Sequence, residues 1–306
     1  MITTVCLNPA IDQSAEVENL QIGGMNRLCN LRSEIAGKGI NVAVVLKRLQ
    51  ADVRCVYCAG EADAPFFARG MERGGISFHA VTAAGSVRRN LKVIETGSRE
   101  VTEFNQQGAE IGAEALRQLE ALLSEKTETG GCVALCGSLP PGCGQDTYLN
   151  IMRKLPDRQW VVDTSGEAMR HALKARPYLI KPNQAELEEI VGNKLTNLDA
   201  VRNAAISLCK TGVRYVVVSL GAQGALATDG NRTVFAPAVP VKTNFTVGAG
   251  DAMLAGILYG IDRGETAFDS LRYGIAAGAA CVEGGSIYSF TKKRFLELLS
   301  KEETLE

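Results

Sequence analysis

Cys132-Val133-Ala134-Leu135-Cys136-Gly137-Ser138-Leu139-Pro140-Pro141-Gly142 begins with five apolar residues in a row, stops at a glycine and then turns polar. A strand with one wet face alternates apolar and polar residues; an unbroken apolar run bounded by turn residues fits a strand buried on both faces. Similar runs occur at residues 3–7, 160–162, 178–180 and 215–218. Helix-period segments follow several such units. Val42, Val45, Leu46 and Leu49 recur at i, i+3, i+4, i+7, and Met253, Leu254, Ile257, Leu258 and Ile261 line one face in the same way. Buried strands separated by amphipathic helices predict a doubly wound α/β architecture, a mostly parallel sheet flanked by helices.

The composition agrees with one large domain. With 306 residues, 46% hydrophobic and 22% charged, the chain can fill a core, which excludes disordered, collagen-like and coiled-coil classes. No Pro-rich or Gly/Ser-rich linker divides it, so residues 1–306 are expected to form a single domain, with any second unit small and inserted. A net charge of -1 gives no general attraction to nucleic acid or to an anionic membrane. The first residues lead into an apolar run without a basic flank, so no secretory signal is read. No segment reaches the roughly 20 uninterrupted apolar residues of a membrane span, and a cytoplasmic location is expected.

Nine cysteines show no disulfide-framework spacing. The one CxxC, Cys55 and Cys58, lies in the strand-like Val53-Arg54-Cys55-Val56-Tyr57-Cys58. Residues three apart in a strand face opposite ways, which argues against a shared ion. His79 and His171 are near no Cys or acidic ligand pattern, which argues against a zinc site and a His-based nucleophile triad.

Two segments break the α/β rhythm. Residues 12–34 lack helix periodicity, and residues 86–107 read as two strands around the turn Glu95-Thr96-Gly97-Ser98-Arg99. They are expected to build a small sheet projecting from the main one, either a substrate lid or an edge decoration. Arg27, Arg88 and Arg89 within them favour a lid.

Open parallel sheets bind ligands beyond the carboxyl ends of their strands, so the residues after each apolar run carry the chemistry. Those residues are Asn8-Pro9-Ala10-Ile11-Asp12, Gly137 to Gly142, Asp163-Thr164-Ser165-Gly166, Lys181-Pro182-Asn183-Gln184-Ala185-Glu186 and Ser219-Leu220-Gly221-Ala222-Gln223-Gly224. Thr246-Val247-Gly248-Ala249-Gly250-Asp251 runs straight into an amphipathic helix. Glycines at a helix start offer backbone N–H groups to an anion, aided by the helix dipole, and phosphate is the natural guest. Asp251 there is either a cap of its own helix or the acceptor of a nucleophile's proton. The turn Gly37-Lys38-Gly39-Ile40-Asn41 places a polar residue on a second helix start, while Lys38 reads either as a ligand or as a surface charge. Neither a P-loop nor a complete dinucleotide fingerprint is present.

Taken in order, Asn8 to Asp12, Gly37 to Asn41, Gly137 to Gly142, Lys181 to Glu186, Ser219 to Gly224 and Thr246 to Asp251 resemble the signatures of the phosphofructokinase B branch of ribokinase-like carbohydrate kinases. The resemblance covers nearly the whole chain. It implies a β-sheet lid, ATP as phosphoryl donor and Mg²⁺ as the accompanying ion. It also implies Asp251 as catalytic base and Gly248, Ala249 and Gly250 as its anion hole. Asn183 and Glu186 resemble the pair that acts on magnesium through water; Lys181, Asn183, Ser219, Gly221 and Gly224 resemble nucleotide contacts. Asp12, Gly37, Lys38, Asn41 and Ser138 are similar to sugar-binding residues, and Arg27 and Arg88 to lid arginines that hold a phosphate already on the sugar. The run Val87-Arg88-Arg89-Asn90-Leu91-Lys92-Val93 is most similar to the branch that phosphorylates fructose 1-phosphate, with tagatose-6-phosphate and fructose-6-phosphate kinases as close neighbours. Lid sheets of this family often pair between subunits, so a homodimer is implied. Ala36, where a glycine is common, and Met25, basic in some relatives, depart from the pattern.

Overall fold

A computed structural model describes residues 1–242 and 246–302 of the chain. The first half contains β1 (Ile2–Cys6), β2 (Ala10–Val17), β3 (Cys29–Ala36), α1 (Lys38–Arg48), β4 (Val53–Gly60), α2 (Ala64–Arg73), β5 (Ser77–Ala83), β6 (Arg88–Glu95), β7 (Val101–Asn105), α3 (Ala113–Lys126), β8 (Cys132–Cys136) and α4 (Thr147–Lys154). The second contains β9 (Gln159–Asp163), α5 (Gly166–Ala172), β10 (Leu179–Ile180), α6 (Gln184–Val191), α7 (Leu198–Lys210), β11 (Tyr215–Ser219), β12 (Gly224–Thr228), β13 (Thr233–Pro237), α8 (Ala249–Asp262), α9 (Leu271–Gly284) and α10 (Lys292–Glu302).

Nine strands form the main sheet in the order β13-β12-β11-β10-β9-β8-β1-β4-β5. All pairs from β11 to β5 are parallel, and β12 and β13 add an antiparallel edge. The apolar runs divide between two cores by the period of two. Ala134 and Cys136 of β8 join one cluster with α1, α8 and α9, whereas Val133 and Leu135 join another with α3, α4 and α7. Cys55 and Cys58 fall in different clusters, on opposite faces of β4, as the strand reading of the CxxC requires. All nine cysteines are free thiols, and only Cys29 is exposed.

The expected helical stripes are the buried faces of α1 and α8: Val42, Val45, Leu46, Leu49, Met253, Leu254, Ile257 and Leu258 are all buried. The strand readings shift by a residue or so at their ends. The β12–β13 edge hairpin was not anticipated, because its small and polar residues lack the long apolar run that marks the interior strands.

Strands β2, β3, β6 and β7 make a separate four-stranded sheet in the order β3-β2-β6-β7. The parallel pairing of β2 with β6 sets Asp12 opposite Asn90, and β3 sets Glu34 on the other side of Asp12. Residues directly opposite one another share a face, so these three polar side chains form a row. Burial and the Asp12 charge hold the Glu34 carboxyl above its ordinary value. At the outer edge the Tyr288 hydroxyl donates to the Ile35 carbonyl, tying β3 to the main body.

Strand β3 passes through a single residue, Gly37, into α1. Gly37 has φ 127°, and a Cβ there would lie 2.7 Å from Cys6 Sγ. The glycine is thus required by the backbone and by the close approach of this turn to β1. Its packing brings Lys38 and Asn41 to the carboxyl edge of the sheet.

Candidate active site

The carboxyl ends of β1, β8, β9 and β10 and the first turns of α1 and α8 converge on one charged cluster. At its centre is Asp163, the last residue of β9, with a side chain 0% exposed. Lys38 Nζ donates to Asp163 Oδ1 at 3.0 Å. Lys181 Nζ lies 3.5 Å from Asp163 Oδ2 on the other side, an ion pair without hydrogen-bond geometry. Burial alone would lower the Lys38 pKa; Asp163, Asp251 and Glu186 raise it above the usual lysine value.

Asp251 sits in the first turn of α8 but caps nothing: the N-cap is Gly248, at φ 81°, and no side chain closes this helix start. Its Oδ2 instead accepts a hydrogen bond from Asn41 Nδ2 at 2.7 Å. Burial, and then the Asp163 charge, push the Asp251 pKa up to about 6, against the opposing pull of Lys38, Asn41 and Lys181. A carboxylate with that affinity is ionised at neutral pH and still basic enough to take a proton. The Ala249 N–H donates to the Thr246 carbonyl, while Gly250 and Asp251 open the helix, where intrahelical partners are lacking. A Cβ on Gly250 would lie 3.4 Å from Lys181 Nζ, which puts that ammonium beside the helix start.

The sugar-side candidates lie around the small sheet. Asp12 Oδ1 accepts from Asn90 Nδ2 at 2.8 Å. Asn8 Nδ2 donates to Ser138 Oγ at 3.0 Å, and Arg88 Nη2 donates to the Asn8 carbonyl at 3.3 Å. Arg88 Nε is buried without a partner. Arg27 is exposed on the β2–β3 connection and makes no hydrogen bond or ion pair among the described residues. Arg89 is occupied elsewhere: it pairs with Asp63 at 3.1 Å, and Asp63 also accepts from the Val87 N–H.

Asn183 and Glu186 form a capping box on α6. The Glu186 N–H donates to Asn183 Oδ1 at 2.8 Å, and the Asn183 N–H to Glu186 Oε2 at 2.9 Å. Glu186 Oε1 remains, 4.0 Å from Lys38. Ser219 ends β11 and bridges to Asn183. Gly221 is exposed at φ 58° with open space around it. Gly224 is buried, and a Cβ there would meet the Ala236 carbonyl at 2.1 Å, so the β12–β13 hairpin accounts for that glycine.

Asp163 and Asn90, like Asn8, were not chosen as site residues from the sequence. Asp163 was visible only as one of several acids after a strand; its lysines lie 125 and 18 positions away. Asn90 was hidden because its partner is set by cross-strand register. The strand-end position was a usable signal for Asp163, and nothing local marked Asn90.

This architecture is the ribokinase-like fold. The pfkB family carbohydrate kinase pattern matches residues 3–293, and the chain belongs to that family. It is similar to the 1-phosphofructokinase of Rhodobacter capsulatus, 38% identical over 275 residues, covering 87% of this chain and 86% of the relative. The 1-phosphofructokinase of Borreliella burgdorferi is 32% identical over 293 residues, covering 95% and 94%. The crystal structure of Escherichia coli phosphofructokinase-2 in complex with fructose-6-phosphate superposes with a TM-score of 0.92 at 30% identity, covering 99% of each chain. The protein is an ATP-dependent carbohydrate kinase. Among the described residues, no helix is long and apolar enough to cross a membrane.

Proposed function

We propose that the protein transfers the terminal phosphoryl group of ATP to a free hydroxyl of fructose 1-phosphate, giving fructose 1,6-bisphosphate. The observation that carries this reading is Asp251: an uncapped acid of raised pKa, held by Asn41, at a helix start that can receive an anion. The sugar hydroxyl oxygen forms a bond to the γ-phosphorus as the bond to the β–γ bridging oxygen breaks. That electron pair leaves on ADP, and the hydroxyl proton passes to Asp251. The amides of Gly248, Gly250 and Asp251 receive the charge on the phosphoryl oxygens, helped by the Lys181 ammonium, and the Ala249 amide joins them only by giving up its bond to the Thr246 carbonyl. Ser219, Gly221 and Asn183 are proposed to contact the nucleotide. The close packing of Gly224 offers no support for a direct contact there.

Mg²⁺ is proposed to accompany ATP. Among the described residues no cluster of three ligating side chains exists, and Asn183 Oδ1 and Glu186 Oε2 are engaged in the capping box. One remaining Glu186 oxygen suits a hydrated hard ion touched through water, not a protein cage. When bound, the ion would neutralise phosphate charge.

Asp12, Gly37, Lys38, Asn41 and Ser138 are proposed to line the sugar pocket, and Arg88 with Arg27 to hold the phosphate it brings. The unpartnered Arg88 Nε supports that role. We read residues 12–34 and 86–107 as a lid inserted in a single cytoplasmic kinase domain. Ile22, Met25, Leu28, Leu31, Val101 and Phe104, exposed on the small sheet and the loop between β2 and β3, support its pairing with a second copy.

A coupled assay over fructose 1-phosphate, fructose 6-phosphate, tagatose 6-phosphate, fructose and ribose tests the reading, with the highest kcat/KM expected for fructose 1-phosphate. The bound sugar in the Escherichia coli structure favours a second reading, a 6-phosphate substrate, which a preference for fructose 6-phosphate would establish. Equal rates with free sugars would overturn both.

A further inference from the structure

Asn90 stands on β6 of the small sheet between Asp12 of β2 and Asn105 of β7, on the same face as Arg88 two residues away. Its Nδ2 donates to Asp12 Oδ1 at 2.8 Å. An ionised carboxylate only accepts, so this bond fixes the amide with its nitrogen toward Asp12 and its oxygen away. That oxygen, Oδ1, is out of contact with solvent and accepts no hydrogen bond. Buried acceptors are almost always paired, and one that is not calls for a donor the protein itself does not contain. Arg88 Nε is the matching donor without an acceptor. The same face of β6 thus presents one unfilled donor and one unfilled acceptor, two residues apart along the strand.

A phosphate has acceptors for the guanidinium but, as a dianion, no proton for an amide oxygen. A sugar hydroxyl does have one. Asp12, with Oδ1 taken by Asn90, keeps Oδ2 for a second hydroxyl. We infer that Asn90 is a specificity-determining residue: its Oδ1 and Asp12 Oδ2 accept from two hydroxyls on neighbouring carbons, so the pair reads a vicinal diol next to the phosphate. This inference rests on the sugar-phosphate kinase reading above. It requires the substrate to be a polyol phosphate, since a deoxy sugar leaves one acceptor buried and empty.

The test is a cycle between protein and substrate. Steady-state rates are measured for the wild type, Asn90→Ala and Asn90→Ser with fructose 1-phosphate and its 3-deoxy and 4-deoxy analogues. Removing one hydrogen bond of this kind costs roughly tenfold. Asn90→Ala is expected to raise KM for the parent sugar by about that factor, with KM for ATP unchanged and Asn90→Ser partly restored. For one deoxy analogue the wild type should show a similar loss, and Asn90→Ala should add almost nothing to it. If the losses multiply for both analogues, or if Asn90→Ala leaves the parent KM unchanged, Asn90 touches no hydroxyl and the inference is wrong. Should Asn90→Ala fail to fold, Asn90→Ser with the same analogues decides alone. A wild type that turns over no ketohexose phosphate defeats the kinase reading instead, and the two failures are distinct.

Discussion

Replacing Asp163 with Asn should damage stability and chemistry together, with separable signatures. The wild-type carboxylate is fully buried between Lys38 at 3.0 Å and Lys181 at 3.5 Å. Unit charges about 4 Å apart attract by about 4 kcal/mol at an effective dielectric near 20. Removing one partner of a buried pair typically costs about 3–5 kcal/mol, because the other charge is left buried and alone. Lys181 is in that position, with only 4% of its side chain exposed, whereas Lys38 is 36% exposed and partly screened. The lower end, about 3 kcal/mol, is therefore expected, a fall in Tm of roughly 5–10 °C for a domain this large. The catalytic signature has a defined sign. The Asp163 charge is one of the causes that raise the Asp251 pKa to about 6, so its loss should move the acid limb of kcat/KM to lower pH. Differential scanning calorimetry and pH profiles from pH 5 to 8 would measure both. A variant that melts with the wild type and keeps its acid limb near pH 6 would refute the buried-anchor argument.

Asp251→Asn should lower turnover by about 10²- to 10⁴-fold with ATP binding intact, as the loss of a positioned base does. The same variant should be more heat-stable than the wild type at pH 8: a carboxyl raised from 3.8 to about 6 binds protons more tightly when folded, so its stability contribution falls as pH rises through that window. The gain, about 2–3 kcal/mol, should vanish below pH 4, and equal melting at both pH values would contradict it. Arg88→Ala and Arg27→Ala should each raise KM for the phosphosugar by roughly ten- to hundredfold, with KM for ATP nearly constant; unchanged KM for every phosphosugar would make them surface charges. Phe104→Glu should convert a dimer to a monomer in sedimentation, and a wild type that is already monomeric and fully active would end the lid-pairing proposal.

The main sheet was legible because strands covered on both faces must be continuously apolar, and residues 132–136 leave no other reading. The carboxyl-edge loops were legible for a topological reason, since parallel strands deliver their ends to one edge. What could not be read was pairing at long range. Its strand-end position marks Asp163 as a candidate, but nothing local shows that two distant lysines grip it. Arg88 and Arg89 are neighbours of identical chemistry, yet strand alternation turns Arg89 toward Asp63. The capping box of Asn183 and Glu186 has a plain helix-start explanation that coexists with their proposed work on the ion. For Asp251 geometry removes one of the two readings open in the sequence, the cap, since Gly248 is the N-cap and the carboxylate accepts from Asn41 instead of from its own helix start; its role as base remains a proposal.

The distribution of thiols has a practical consequence. Of the nine cysteines only Cys29 is exposed; burial pushes Cys132 up to about 12 and both Cys143 and Cys209 up to about 11, which keeps them protonated at neutral pH. Thiolates are the reactive species, so an alkylating dye at limiting concentration should mark Cys29 first. That residue begins β3, the outer strand of the small sheet. The unaltered protein therefore carries a single attachment point for a fluorophore on the element proposed to cover the substrate, where emission or quenching can follow its movement during turnover.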